Sequence, residues 1–313
     1  MDWPVKGRSC FSQEEAVISK DTENGFSRYL DLLRVRDYAK NLLIFAPVFF
    51  GRQATNTELL ARAGGAFIAF SLIASSVYIL NDYHDREEDR GHPRKKIRPL
   101  ASGAISNQTA VMLGTGCFAA GFAAAFLCGR DVLALAALYV LLNISYTFRL
   151  KHIAVIDINV IALGFIIRIF TGSAATGILC SPWLIIVTFL LALFLALAKR
   201  RDDMIIYNEV GEKTRKVVDG YTLEMIDHAM MIMAAVLLVI YIVYSVSPGV
   251  HPRMRSDNLY ITDFFVVLGV LRYLQLAFVE KKTGSPTDIF WEDGFIQLTI
   301  LGWGVTFTYL VYI

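Results

Sequence analysis

Cysteine is scarce in this chain, and its spacing excludes the sites that cysteine usually builds. The four cysteines, Cys10, Cys117, Cys128 and Cys180, form no CxxC pair, so the sequence supports neither a zinc site nor a disulfide framework. An excess of one charge is also missing. The formal net charge is +2, which is too small to indicate nucleic-acid binding.

The chain also lacks the pattern of a leader peptide. Residues 1–27 are polar and mixed in charge, without a basic and then apolar segment that ends in a small-residue cleavage site. We expect these residues to form a flexible cytoplasmic tail. The linkers beyond them are short, so we predict one membrane domain over residues 28–313 and no soluble domain.

Apolar residues are abundant. Of 313 residues, 55% are hydrophobic and 19% are charged, with a mean hydropathy of +0.50, which predicts an integral membrane protein. A helix needs roughly 20 apolar residues to cross the hydrocarbon core. We therefore predict an all-α membrane bundle of about nine transmembrane helices. The apolar runs are 38–54, 59–81, 107–128, 131–148, 154–178, 182–199, 225–246, 260–279 and 294–312. The first run is short, contains Pro47 and follows an amphipathic stretch that could lie in the interface.

Nine crossings divide the loops into two sets. One set, which includes 82–106 and 200–224, contains most of the 30 Lys and Arg residues. The cations of the other set are Arg52, Arg62, Arg130, Arg253 and Arg255. The positive-inside rule therefore predicts that the first set is cytoplasmic and that both large charged loops open on that face.

The first charged loop begins with regularly spaced carboxylates. In "NDYHDREED", Asn81, Asp85 and Asp89 follow an i, i+4, i+8 spacing, and Asp82 precedes Asp85 by three residues, so these side chains share a helical face. Stacked carboxylates at a membrane edge need a positive partner. Oxygen ligands without His or Cys favour Mg²⁺, completed by water and substrate phosphates. We call Asn81, Asp82, Asp85 and Asp89 the carboxylate ladder.

A simpler interpretation is a solvated loop whose cations only set the topology. It accounts for Lys95, Lys96 and Arg98, but it does not require the acids, because acidic residues contribute little to orientation. Glu87 and Glu88 are expected to face solvent.

This pattern resembles a known family. "NDxxDxxxD" after the second apolar run, followed by "RPLASG", is similar to the first signature of the UbiA superfamily of membrane prenyltransferases. The resemblance implies a UbiA-like fold in which Asn81, Asp82, Asp85 and Asp89 hold a Mg²⁺-diphosphate.

The second charged loop departs from the pattern of prenyl-diphosphate users, which usually carry a second aspartate-rich motif there. Here "LAKRRDD" places Lys199 and Arg200 first, and the DxxxD spacing is missing. Such a cation cluster suits more phosphate than one diphosphate supplies, although cations also commonly end a span for topological reasons.

Other stretches, among them "RVRDYAKNLLIFAPVFF", "SYTFRLKHIAVIDINVIALGFIIRIFTGSAATG" and "LRYLQ", resemble the decaprenyl-phosphate 5-phosphoribosyltransferase branch. The resemblance implies a phosphoribosyl pyrophosphate donor, a polyprenyl-phosphate acceptor, Mg²⁺, a bacterial inner membrane and an active site on the cytoplasmic face. It leaves open whether the protein forms a homo-oligomer. The catalytic residues that it implies are Asp82, Asp85, Asp89, Lys199 and Arg200. The substrate-binding residues that it implies are Lys40, Asn41, Asn81, Arg98, Tyr146, Lys151, Asp157 and Arg168.

Asp157 and Arg168 lie within an apolar run, where an unpaired charge is costly, so each needs a partner or a cavity. They are eleven residues apart, about three helical turns, which puts them on one face but too far apart to pair directly. A structural tether between helices explains them equally well.

Two other functions remain open. A prenyltransferase that moves a prenyl group from its diphosphate to an aromatic acceptor fits the first motif, although the missing DxxxD and the "KRR" cluster argue against it. A transporter of an anionic solute would also place ionisable residues in spans, but stacked carboxylates are poor anion ligands without a metal.

Overall fold

The computed structural model describes residues 25–91, 95–210, 220–250, 254, 256–280 and 286–313. The predicted tail therefore lies outside the described residues up to residue 24, and the first helix already begins at Gly25. The α-helices are α1 (Gly25–Leu33), α2 (Ala46–Phe50), α3 (Thr57–Gly91), α4 (Asn107–Cys128), α5 (Arg130–Phe148), α6 (Ile156–Thr176), α7 (Pro182–Val210), α8 (Leu223–Val246), α9 (Asp263–Phe278), α10 (Pro286–Glu292) and α11 (Gly294–Tyr312). Shorter 3₁₀ helices are Lys95–Ile97, Leu150–His152 and Leu259–Thr262.

Among the described residues, eight helical segments are long and apolar enough to cross a membrane. They comprise α3 to α8, α9 with the 3₁₀ turn before it, and α11. The prediction of an all-α membrane bundle is confirmed. α3 and α4 run antiparallel, as shown by the proximity of Gly65 to Cys128 and of Ile79 to Gly114. Lys151, just before α6, pairs with Asp85, and Arg200 near the end of α7 pairs with Asp157. The carboxylate ladder, the start of α6 and the end of α7 therefore lie at one end of the bundle, which we call the charged face.

The first predicted run, 38–54, is not among these eight helical segments, and it does not form one continuous α-helix. An 11-residue 3₁₀ helix, Val35–Phe45, leads into the five-residue α2, with Pro47 near its start, where a missing N–H costs no helical hydrogen bond. A 3₁₀ helix rises about 2.0 Å per residue, so the two helices together extend about 30 Å, the thickness of the hydrocarbon core.

This 3₁₀ segment does reach from one end of the bundle to the other. Just before it, Arg34 contacts Asp82 at the charged face. Just after α2, the Arg52 side chain donates a hydrogen bond to the Val311 carbonyl oxygen, 3.0 Å away, at the opposite end. The larger rise per residue of a 3₁₀ helix therefore lets a short apolar run connect the two faces.

Polar side chains hold the 3₁₀ segment between α3 and α6. The Asn41 amide donates to Ser71 Oγ over 2.9 Å, and its oxygen accepts from Arg168 Nε over 2.8 Å. Tyr38 and Ser75 hydroxyls are 2.8 Å apart. These bonds satisfy polar groups that have no water partner at membrane depth. α3 and α6 are the most buried spans, and they also carry the ladder and Asp157.

Gly172 on α6 allows the closest backbone contact of this arrangement. A Cβ atom added there would lie 1.9 Å from the Ile44 carbonyl oxygen, which is backbone and cannot rotate away. The absence of a side chain at Gly172 therefore fixes how closely the 3₁₀ segment packs on α6.

Gly172→Ala is expected to lower the free energy of unfolding by about 1–3 kcal/mol, because the segment must move off α6. Gly164→Ala on the same helix is the matched control, since its Cβ would lie 3.5 Å from the nearest atom, Arg168 Nη1, an ordinary contact. Unfolding by denaturant in detergent micelles measures both. Equal stability of the two variants would show that the close contact is not needed.

Candidate active site

The carboxylate ladder lies where α3 extends beyond the bundle. Asp82 and Asp89 are 3% and 4% exposed, so both carboxylates are almost removed from water. Nη1 of Arg98 lies 2.9 Å from Asp82 and 2.8 Å from Asp89. One guanidinium therefore reaches both acids, which share a helical face seven positions apart.

Two more cations, Arg34 and Lys151, form ion pairs with the carboxylates of the ladder. Arg34 Nη2 lies 2.5 Å from Asp82, and Lys151 forms an ion pair with Asp85. The Asn81 side-chain oxygen accepts from Thr147 Oγ1 over 3.3 Å. The cations that contact the ladder thus come from three separate segments of the chain.

The "RPLASG" sequence folds into a compact turn that presents Arg98. The Arg98 carbonyl oxygen accepts hydrogen bonds from the backbone N–H and from the hydroxyl of Ser102, each at 2.9 Å. Leu100 is buried in a small apolar cluster with Leu32 and Ile79, and Gly103 has a φ of +76°, which favours glycine. The turn is therefore anchored to α3 by apolar packing, and this fixes the position of the guanidinium.

A second buried cluster joins the start of α6 to the end of α7. Arg200 is 1% exposed and Asp157 is fully buried, and Arg200 Nε lies 2.5 Å from Asp157 Oδ2. Arg200 Nη1 lies 2.5 Å from Asp203 and Nη2 donates to the Tyr146 hydroxyl over 3.3 Å. All three side-chain nitrogens of Arg200 therefore have acceptors within the protein.

Tyr221 completes this second cluster. Its hydroxyl donates to Asp157 Oδ1 over 2.6 Å. Burial and the hydrogen bond to the Asp157 carboxyl group both raise the pKa of Tyr221 above its ordinary value. The hydroxyl therefore keeps its proton and serves as a donor at neutral pH.

Lys40 and Lys199 both interact with Asp37, near the start of the 3₁₀ helix Val35–Phe45. Lys40 Nζ lies 2.7 Å from Asp37, and the Lys40 side chain is 31% exposed. Lys199 is half-buried and its charge also acts on Asp37. Because Asp37 also interacts with Arg34, the charges alternate from Lys40 through Asp37 and Arg34 to the ladder.

Asn41 and Arg168 lie deeper in the bundle, away from these groups. Besides Asn41, Arg168 donates to the Gly164 carbonyl oxygen over 2.7 Å and to the Tyr139 hydroxyl over 3.3 Å. Its guanidinium stacks over Phe70 at 5.1 Å. Asp157 and Arg168 therefore have separate partners, as the cost of a buried charge requires.

The sequence analysis assigned no role to Arg34, Asp37 or Tyr221. The first two stand in the amphipathic stretch that we interpreted as interfacial, and their opposite charges three residues apart were the available signal. Tyr221 has no local signal, because it contacts Asp157 across 64 residues of sequence.

The ladder offers oxygen atoms of the kind that Mg²⁺ binds. Within the described residues, no group of three or more His, Cys, Asp or Glu side chains is arranged around one metal position. Mg²⁺ usually takes only one or two carboxylates and completes its shell with water and phosphate oxygens. Asp82, Asp85 and Asp89 offer such oxygens, so the chemistry of the residues fits the ion.

Comparisons with known proteins agree with the fold and the motifs. The model of the UbiA prenyltransferase family matches residues 31–299. The chain is 29% identical to the decaprenyl-phosphate phosphoribosyltransferase of Mycolicibacterium smegmatis over 93% of this chain and 95% of that protein. It is 30% identical to the protein of the same name from Corynebacterium glutamicum, over 90% and 86%.

The fold resembles that of a UbiA homologue from Archaeoglobus fulgidus whose structure was solved with DMAPP and Mg²⁺ bound. The TM-score is 0.65 at 19% sequence identity, and the match covers 90% of this chain and 99% of that one. This likeness establishes the arrangement of helices.

Asp157→Asn is expected to destabilise the protein by about 3 kcal/mol, because it removes one of the carboxylates that neutralise the buried Arg200. Glu58→Gln is the matched control. Glu58 pairs with Arg62 at 2.6 Å, but both side chains are more than half exposed, so its loss should cost less than about 1 kcal/mol. Denaturant unfolding in micelles compares the two variants. Equal losses would contradict the structural role of the Asp157–Arg200 pair.

Proposed function

This chain belongs to the UbiA prenyltransferase family, and within it we propose that the protein transfers the 5-phosphoribosyl group from phosphoribosyl pyrophosphate to a polyprenyl phosphate, with release of pyrophosphate. The observation that carries the proposal is the row of alternating charges at the charged face. Lys40 pairs with Asp37, and Asp37 interacts with Lys199 and with Arg34, which contacts the ladder. A second and a third phosphate group would need such cations. The names of the two bacterial relatives support a phosphoribosyl group as the group transferred and a polyprenyl phosphate as the acceptor.

The ladder is the proposed position of the pyrophosphate. Asp82, Asp85 and Asp89 would hold Mg²⁺, which supplies positive charge for the departing pyrophosphate. Arg98 and Lys151 already contact these carboxylates. A guanidinium and an ammonium at the same place can also donate to phosphate oxygens, so the ladder and its cations form one binding surface.

Lys40 and Lys199 are proposed to bind the 5-phosphate or the phosphate of the lipid. Arg200, which the resemblance also assigned to catalysis, is better suited to holding the protein around this surface, because its donors are bonded to Asp157, Asp203 and Tyr146. Of the adjacent cations in "LAKRR", Arg200 and Arg201 are buried and Lys199 is half-buried, and Lys199 is the proposed phosphate ligand.

The reaction is a substitution at ribose C1. The bond between C1 and the pyrophosphate oxygen breaks, and the pyrophosphate leaves with the electron pair. A phosphate oxygen of the lipid forms the new bond to C1 from the opposite face, which gives a 5-phospho-β-ribosyl-1-phosphoryl polyprenol. An ionised phosphate monoester carries its own nucleophilic electron pair, so alignment of the two substrates is the main task of the protein.

The membrane bundle serves the lipid substrate. The donor is soluble in water and the acceptor chain is soluble in the bilayer, so the site needs access to both. The charged face is proposed to lie on the cytoplasmic side of a bacterial inner membrane, in keeping with the distribution of Lys and Arg. Apolar residues between the helices would accept the polyprenyl chain.

Incubation of the purified protein with Mg²⁺ and labelled phosphoribosyl pyrophosphate tests the proposal. Label should move to the lipid fraction only when polyprenyl phosphate is present, and Asp85→Asn, which lacks one ladder carboxylate, should form no product. The competing function, suggested by the family name and by the DMAPP-bound homologue, is prenyl transfer to an aromatic acceptor. Pyrophosphate release from a prenyl diphosphate with such an acceptor, and no reaction with phosphoribosyl pyrophosphate, would overturn the proposal.

Lys199→Ala should raise KM for the donor or the lipid phosphate, or lower kcat, by about tenfold or more, the effect of one lost charged hydrogen bond. Arg36→Ala is the matched control, since Arg36 is an exposed cation near the same face and is not part of the proposed surface. Steady-state kinetics with each substrate varied in turn separates the two variants. An equal and small effect of both substitutions would mean that Lys199 only sets the topology.

A further inference from the structure

The short connection between α5 and α6, residues 149–155, carries the cation that meets Asp85. Lys151 is 6% exposed and its ammonium forms an ion pair with Asp85. The connection contains only one 3₁₀ turn, Leu150–His152. The conformation of the connection therefore decides where the Lys151 charge lies relative to the ladder.

The backbone at the end of this connection is strained. Val155 has φ +69° and ψ −43°, a region that β-branched residues rarely adopt. Such a conformation persists only where the surroundings hold it. The Val155 N–H donates to the Tyr221 hydroxyl over 2.7 Å, so Tyr221 is one of the groups that hold it.

Tyr221 and its neighbour Gly220 also pack against the α5–α6 connection. The Tyr221 ring is 5% exposed, and its hydroxyl also bonds to Asp157 in the first turn of α6. At Gly220 an added Cβ would lie 2.5 Å from the Ala154 Cβ. The chain just before α8 therefore packs directly against the connection.

Arg200 holds both ends of the connection. Its guanidinium bonds to Tyr146, in the last turn of α5, and to Asp157, in the first turn of α6. Tyr221 and Arg200 lie on either side of residues 201–220 in the sequence. Both residues hydrogen-bond to the α5–α6 connection or to the helix ends that flank it.

From these contacts we infer that Tyr221, with Arg200 and Asp157, is a latch that positions Lys151 against Asp85, and that Tyr221 is a positioning residue for the transfer reaction. The effect on transfer depends on the proposed function. The effect on the position of Lys151 does not, and it can be measured without substrate.

Tyr221→Phe removes the hydroxyl and keeps the buried ring. Tyr273→Phe is the matched control, because Tyr273 belongs to the same apolar cluster and its buried hydroxyl makes no hydrogen bond within the described residues. Hydrogen exchange followed by mass spectrometry reports on the Val155 amide. Tyr221→Phe should speed exchange in a peptide covering 150–156 by about tenfold or more, the scale of one or two lost hydrogen bonds, and Tyr273→Phe should not.

Amine labelling of the whole protein reports on Lys151 itself. In the parent protein Lys151 should react slowly with an acylating reagent, since it is buried and paired. Tyr221→Phe should increase its labelling several-fold, while the labelling of an exposed lysine, Lys96, stays constant. Unchanged exchange and unchanged labelling in Tyr221→Phe would refute the inference that Tyr221 positions Lys151.

Kinetics tests the positioning role. Tyr221→Phe should lower kcat for phosphoribosyl transfer by about tenfold, with little change in KM for the lipid, and Lys151→Met/Tyr221→Phe should be no slower than Lys151→Met alone. Additive losses in the double variant, or full activity of a Tyr221→Phe protein whose connection exchanges faster, would refute the positioning role. If the parent protein transfers no phosphoribosyl group, the proposed function fails, and exchange with labelling still decides whether Tyr221 positions Lys151.

Discussion

The structure depends on the neutralisation of carboxylates that are buried at one end of a membrane bundle. Asp82, Asp89 and Asp157 are almost removed from water, and an ionised carboxylate in that environment is costly unless a cation and hydrogen bonds accompany it. Arg98 serves the first two and Arg200 serves the third. Breaking such a pair leaves an unpaired buried charge, so the helices that carry the partners are held in one arrangement.

The same requirement brings distant parts of the chain to one surface. The cations that meet the ladder come from the segment before the first crossing, from the "RPLASG" turn and from the α5–α6 connection. Each of them can also bind a phosphate group. A surface that carries both carboxylates and cations is suited to bind a metal ion together with a phosphorylated donor. The contacts of Tyr221 keep one of these cations, Lys151, in place.

Features with a local cause could be predicted from the sequence. The ladder follows from helical spacing alone, and most crossings follow from long apolar runs. The 3₁₀ segment could not be predicted, since hydropathy reports an apolar run but not its hydrogen-bond pattern. The pairs Arg34–Asp82 and Asp157–Arg200 join residues 48 and 43 positions apart. Only the packing of the helices determines those contacts, and a single sequence carries no local signal for them.

A structure determined with Mg²⁺ and phosphoribosyl pyrophosphate would show directly where the donor binds. We expect the pyrophosphate and the metal ion at Asp82, Asp85 and Asp89, with the 5-phosphate in contact with Lys40 or Lys199. A donor bound away from α3, or one whose metal ion contacts none of the three aspartates, would contradict this expectation.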